Sequence, residues 1–268
     1  MAELLAVMPP KGEEKEKSGT LKPLSFEESL EAKKSAENSV AGNLTGVDCS
    51  LCRNRGTITE IRGKYLVNVE CQCMAKRRSL RQIERSGMRD LLERCTLENF
   101  ETLELWQAEM KRRAVDFLEN GRGKWFSAVG SVGAGKTHIC TAICGELLNR
   151  GLGVRYMLWR DESVKLKATV NNADEYERLI RPFKSTPVLY IDDLFKTKKG
   201  AEITQADVNL AFEIINFRDV GKNLTTIISS EKTLDEIMEI DQAIGSRIFK
   251  RCKGYYLKLT GDKNRRLV

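Results

Sequence analysis

Gly130-Ser131-Val132-Gly133-Ala134-Gly135-Lys136-Thr137 is the stretch from which the rest of the chain can be read. It fits G-x-x-x-x-G-K-[ST], a loop whose glycines let successive backbone N–H groups turn inward onto an anion without Cβ clashes. Residues Gly130, Ser131, Val132, Gly133, Ala134 and Gly135 then form the cradle. Lys136 reaches the β- and γ-phosphates, the Thr137 hydroxyl is a ligand for Mg²⁺, and His138 follows directly. The flanks agree with this. Lys124 to Val129 reads as a buried strand, and Thr137 to Asn149 as a helix stopped by Gly151. Strand, loop and helix in that order aim a helix N-terminus at phosphate, so a bound nucleoside triphosphate is expected.

A second segment completes such a site. Val188-Leu-Tyr-Ile is an apolar run ending in Asp192 and Asp193. One carboxylate, Asp192, is expected near Mg²⁺ through water. The other, Asp193, is placed to polarise the attacking water, since phosphoryl transfer depends on orientation and charge stabilisation. No Asn-Lys-x-Asp guanine-reading motif occurs, which favours ATP over GTP.

The elements around these two segments alternate. Strands are expected at Gly153–Trp159, Thr186–Asp193, Leu224–Ser229 and Gly254–Leu259. Helices are expected at Leu103–Asn120, Asp161–Arg181, Gln205–Val220, Asp235–Glu239 and Ala243–Cys252. That alternation predicts an α/β fold, a parallel sheet flanked by helices on both faces, with site residues at the strands' carboxyl ends.

The chain of 268 residues, 41% hydrophobic and 31% charged, has the composition of a soluble globular protein. Its net charge of +7 permits a polyanionic partner without requiring one. No apolar run approaches membrane-span length, and the N-terminal MAELLAVMPP has no basic n-region, so no membrane partner and a cytoplasmic location are expected.

Residues 1–45 read as a mostly disordered tail, with a capping box at Ser25-Phe-Glu-Glu28 that permits a short helix around 25–36. Such a helix could dock a partner; a solvated tail is the plainer reading. Residues 46–75 form a small unit. Cys49 and Cys52 precede Thr57–Ile61, a turn at Arg62-Gly63-Lys64, and Tyr65–Glu70, after which come Cys71 and Cys73. A hairpin brings these cysteine pairs to one end of the ribbon, where four thiolates would close a tetrahedral Zn²⁺ site; unligated core cysteines are the alternative. Residues 76–95 read as a basic helical linker. Arg77, Arg81, Arg85 and Arg89 are four apart, and a phosphate-binding patch and an ordinary solvated face are both open.

Gly-Ala-Gly-Lys-Thr-His138, the Leu-Tyr-Ile-Asp-Asp-Leu194 strand, Ile-Ile-Ser-Ser230 and Gly-Ser-Arg247 together resemble the DnaC/DnaI-type replicative helicase loaders, AAA+ ATPases related to the IstB transposition helpers. The likeness runs from about Thr96 to the C-terminus, and the cysteine ribbon is similar to the zinc-bearing region of the phage-borne branch. The resemblance implies an AAA+ P-loop NTPase domain at 96–268 preceded by a small zinc-ribbon-like domain, with ATP, Mg²⁺ and Zn²⁺ as cofactors. It implies a replicative ring helicase bound through the N-terminal region, single-stranded DNA as a further partner, and self-association into an ATPase oligomer. By position, Arg247 matches the finger that reaches a neighbouring subunit's site. Arg266 falls at the sensor-2 position, where Arg265 competes with it. The family usually ends its sensor-1 strand with Asn; here Glu231 follows Ser229-Ser230. A carboxylate near the γ-phosphate is repelled unless paired or protonated, so either Ser230 takes the catalytic role or hydrolysis is slow or partner-coupled. His138 is read as local packing in preference to catalysis. The implied function is ATP-dependent loading of a helicase during DNA replication. The alternatives are an IstB-like transposition helper on duplex DNA and a nucleotide-gated DNA-binding module with negligible turnover.

Overall fold

A computed structural model of the chain describes residues 24–85, 88–221 and 223–261. Five parallel strands form its main sheet: β3 (Phe126–Gly130), β4 (Val154–Leu158), β5 (Val188–Asp192), β6 (Thr225–Ser230) and β7 (Tyr256–Leu259), in the order β4-β5-β6-β3-β7. The central strands β3, β5 and β6 are apolar or small almost throughout and buried along their length, as parallel strands covered on both faces must be. In register, Val129 pairs with Ser230 and with Lys258, so the ends of β6 and β7 flank the phosphate-loop strand.

Helices cover both faces. On one lie α4 (Leu105–Asn120) and α5 (Lys136–Asn149), whose Met110, Phe117, Ile139 and Ile143 pack on Phe126, Tyr190 and Ile227. On the other lie α6 (Trp159–Ala168), α7 (Ala173–Ser185), α8 (Gln205–Val220), α9 (Leu234–Ile240) and α10 (Gln242–Arg251). There Trp159, Phe183, Ile214 and Ile248 close over Leu189, Ile191 and Ile228. The single helical stretch expected over Asp161–Arg181 is two helices. Asn172 accepts from the backbone N–H of Glu175 and so starts α7 afresh.

A smaller unit precedes the sheet. β1 (Thr57–Arg62) and β2 (Tyr65–Glu70) form an antiparallel ribbon with Thr57 opposite Glu70. From the expected tail, residues 1–23 lie outside the described residues, whereas α1 (Phe26–Ser39) is a helix started by the Ser25/Glu28 capping box. Its end is fastened to the ribbon. The Asn38 side chain donates to Thr59 O and accepts from Thr59 N, each at 2.9 Å. The ribbon leads through α2 (Cys73–Arg85) and α3 (Arg89–Arg94) into the sheet domain, and Ser79 Oγ on α2 accepts from Val154 N at 2.9 Å. Arg77 and Arg89 do not share one basic stripe. Arg77 is buried and donates to Thr45 O, Val47 O and Asn54 Oδ1, while Arg89 pairs with Glu84 and Glu93.

Candidate nucleotide site and cysteine cluster

The phosphate loop leaves β3 at Gly130, whose φ of 110° is open to glycine; a Cβ there would stand 2.1 Å from Leu259 O. Gly135, at φ 76°, hands the chain to α5, and its own Cβ would press on the Phe100 ring. Lys136 is buried and donates to Gly130 O at 2.8 Å and Ser131 O at 2.7 Å. Burial lowers its pKa, while Asp193 and Glu231 act in the opposite direction.

Asp192, at the end of β5, is 3.3 Å from Thr137 Oγ1. Its carboxylate also accepts from Tyr156 OH at 2.8 Å, Tyr190 OH at 2.7 Å and the Ser229 hydroxyl. Burial, together with the adjacent Asp192 charge, pushes both tyrosines above their ordinary range, so they act as fixed donors. A carboxylate so fully engaged suits a contact to Mg²⁺ through water, with the Thr137 hydroxyl as the closer oxygen. The donor set therefore fits that ion.

Past β5 the chain turns sharply. Asp193 and Phe195 take left-handed φ values of 57° and 64°, which side-chain-bearing residues seldom adopt. Two serines of β6 hold the turn. Ser229 Oγ accepts from Asp193 N, and Ser230 Oγ donates to Leu194 O at 2.7 Å. Ser230 also accepts from Lys232 N and is buried. The Ser230 hydroxyl is thus engaged in shaping the turn. Glu231, by contrast, lines the cleft.

That cleft, about 280 Å³, is floored by Lys136, Thr137 and His138 and edged by Asp193, Lys196 and Glu231. A second hollow of about 270 Å³ lies across the loop, lined by Phe100, Trp106, Gly135 and His138 among others. His138 meets the edge of Phe100 at 5.2 Å and its Nε2 is 3.0 Å from Thr96 O, the local packing expected of it. Leu91 and Cys95, from the linker, also reach the first cleft. Lys196, which sequence reasoning passed over, bridges Asp193 and Glu231. A lysine three residues past the strand-end carboxylates was the available signal.

Arg247 lies elsewhere. On α10 it donates to Ala243 O, sits 3.9 Å from Asp219 Oδ2 and stacks over Phe212. It is therefore not brought to the cleft of its own chain. Arg265 and Arg266 lie outside the described residues.

The four cysteines do meet. Their Sγ atoms lie within 4.8 Å of one another, with Cys49–Cys71 at 3.8 Å and Cys52–Cys73 at 3.6 Å. Metal–sulfur bonds of ~2.3 Å in a tetrahedron require sulfurs about 3.8 Å apart, so the set fits Zn²⁺. Burial opposes ionisation of Cys52, yet the Gly56 N–H and the neighbouring cysteines bring its thiol down to about 6. Burial pushes Cys71 up to about 12.

A profile of the family described as IstB-like ATP binding protein matches residues 60–259. The chain belongs to that family. Among relatives of this IstB-like protein, YqaM of Bacillus subtilis (strain 168) is 31% identical over 206 residues, 72% of this chain and 64% of YqaM, so the match spans under two thirds of that relative. The phage-like element PBSX protein XkdC of the same strain is 26% identical over 84% of this chain and 87% of its own length. The replicative helicase loader DnaC of Escherichia coli (strain K12) is 26% identical over 65% and 69%. A crystal structure of the DnaC helicase loader superposes with a TM-score of 0.50 at 21% identity, covering 62% of this chain and 95% of that one. The five-stranded parallel α/β fold is thus shared with the DnaC helicase loader structure, and the IstB-like family is ATP-binding. Among the described residues, no helix is long and apolar enough to cross a membrane.

Proposed function

We propose that this IstB-like protein is a cytoplasmic, ATP-dependent loader of a replicative ring helicase onto single-stranded DNA. The observation that carries the reading is the phosphate loop with Thr137 and Asp193 at one cleft and Asp192 against Thr137, in a chain similar to DnaC over 65% of its length. Gly130 to His138 hold the triphosphate and Lys136 meets its terminal phosphates. Thr137 and, through water, Asp192 would hold Mg²⁺, which supplies charge neutralisation there when bound. Asp193 offers the acceptor that orients the attacking water. Arg247 serves the site of a neighbouring subunit in an oligomer, since its own cleft lies elsewhere and phosphoryl transfer gains from a further cation. Of the two sensor-2 candidates, Arg266 is preferred. Cys49, Cys52, Cys71 and Cys73 hold Zn²⁺ and stiffen the N-terminal region, which contacts the helicase.

The test is capture from the host. The tagged protein, with ATP, should retain the replicative helicase, and single-stranded DNA should bind more tightly than duplex. Lys136→Ala should lose ATP binding. Arg247→Ala should keep ATP binding and lose turnover, and mixing it with Lys136→Ala should restore part of the turnover. Retention of a transposase with duplex DNA, and no helicase, would replace this reading with the transposition one.

A further inference from the structure

The nucleotide cleft contains a cation that neither the phosphate loop nor the strand-end carboxylates call for. Lys196 Nζ donates to Asp193 Oδ2 at 2.8 Å and to Glu231 Oε1 at 2.7 Å. Asp193 and Lys196 follow β5, whereas Glu231 follows β6, so the ammonium ties two strand ends together. All three line the same cleft as Lys136. The Asp193 and Phe195 turn, held left-handed by Ser229 and Ser230, is what carries Lys196 back over the cleft.

The charges decide what this arrangement does. Among the side chains that line the cleft itself, Lys136 and Lys196 balance Asp193 and Glu231, while Asp192 lies behind Thr137 and is held by Tyr156, Tyr190 and Ser229. Without Lys196 the balance is one negative charge in excess, at the place a triphosphate must enter. Opposed charges at partly exposed positions contribute little to folding, and Lys196 and Glu231 are 35% and 36% exposed. Their effect on an incoming polyanion is another matter, because it acts along the whole triphosphate.

We infer that Lys196 is a positioning residue of the nucleotide site, neutralising Glu231 and holding Asp193 so that a polyphosphate binds beside two carboxylates. The inference rests on the reading of this cleft as the ATP site. It makes Glu231 tolerable only while Lys196 is present, so the two residues are coupled in nucleotide affinity.

Calorimetric titration with MgATP tests this on the full chain, using Lys196→Met, Glu231→Gln, the double variant, and Lys136→Ala as reference. Lys196→Met should bind about tenfold more weakly, and Glu231→Gln about threefold more tightly. The double variant should return to within about threefold of wild type, and Lys196→Arg should stay near it. Melting temperatures should barely move, which separates this role from a structural one. Wild-type affinity in Lys196→Met overturns the inference, as does a double variant as weak as Lys196→Met. If Lys196→Met does not fold, the Glu231→Gln arm decides alone, and unchanged or weaker affinity there overturns it. If the wild type binds no ATP, the reading of the site falls and takes this inference with it. If wild type binds, Lys136→Ala does not, and Lys196→Met is unaffected, only the role of Lys196 is lost.

Discussion

Cys52, Cys71 and Cys73 are the whole buried apolar set of the ribbon, with Val47, Ile58 and Met74 leaning on them. The sheet domain, by contrast, buries a large cluster on each face, one built around Met110, Phe126 and Ile143 and the other around Trp159, Phe183 and Ile214. Two regions of one chain therefore hold their shape by different means. A ribbon this small removes little apolar surface from water to offset its chain entropy, and four thiolates on one Zn²⁺ would supply the cross-link that packing does not. The sheet needs none. The ribbon is then vulnerable to loss of a ligand, and the sheet domain to loss of packing or buried hydrogen bonds.

The largest effect should come from the ribbon. If its four thiolates hold Zn²⁺, the metal contributes on the order of 10 kcal/mol to folding that unit. Protein purified without chelator is expected to carry about one zinc per chain. A strong chelator, or Cys52→Ser, should then abolish amide protection across residues 42–73 while ATP affinity persists. Zinc-free protein with a protected ribbon would mean that cysteine packing alone suffices.

Much of the sheet domain was legible because its signals are local. The phosphate loop, the Asp192-Asp193 strand end and the apolar runs each predict an element from a few neighbouring residues, and β3, β5 and β6 lie within two residues of where those runs put them. The strand order was not legible, since nothing local in β3 says that β6 and β7 flank it. The direction of the Ser230 hydroxyl was not legible for the same reason. Whether that hydroxyl faces the cleft or Leu194 O depends on a turn after another strand. Lys196 and Glu231, 35 residues apart, look like an unpaired cation and an intrusive carboxylate until the fold joins them. The arginine spacing of the linker left a phosphate-binding patch and a solvated face both open, because nothing local says that Arg77 turns to the carbonyls of Thr45 and Val47.

The sheet domain's own weak point was equally hidden. Arg218 on α8 is fully buried, and its guanidinium donates to Thr186 O at 2.8 Å, Lys184 O at 3.0 Å, Thr225 O at 2.6 Å and Thr226 Oγ1 at 2.9 Å. It gathers the carbonyls at the C-terminal end of α7 and at the start of β6. Burial, with Arg251 nearby, holds its pKa down to about 9. Arg218→Ala should cost about 3–5 kcal/mol, because several buried acceptors lose their donor at once. Denaturant unfolding of the sheet domain measures it, and a loss below about 1 kcal/mol would mean that water replaces the guanidinium. Metal content should not change, which keeps the two regions' dependences separate.

The smallest effect concerns α1, which belongs to neither core. No residue of that helix is buried, so packing cannot be what fixes it. The Asn38 amide instead pairs with both backbone groups of Thr59, as a neighbouring strand would, and Glu37 accepts from the Thr59 hydroxyl at 2.8 Å. Thr59 sits on β1, whose other side is taken by β2, so the amide caps the open edge of the ribbon. Asn38→Ala removes two hydrogen bonds to partly buried backbone and should weaken docking by about 1–2 kcal/mol. Asn38→Asp keeps the acceptor for Thr59 N and replaces the donor to Thr59 O with a carboxylate, so it should weaken docking at least as much. Hydrogen exchange reads the outcome directly. Amides of residues 26–39 should lose protection in both variants while those of β3, β5 and β6 keep theirs. If protection across 26–39 is unchanged in Asn38→Ala, the helix is held by the Arg53 and Arg55 guanidiniums on Ser39 O and Glu37 O and by the Thr59–Glu37 bond, and not by this side chain. If β1 loses protection together with α1, the helix is a third strand-like layer of the ribbon, and the small unit begins at residue 26.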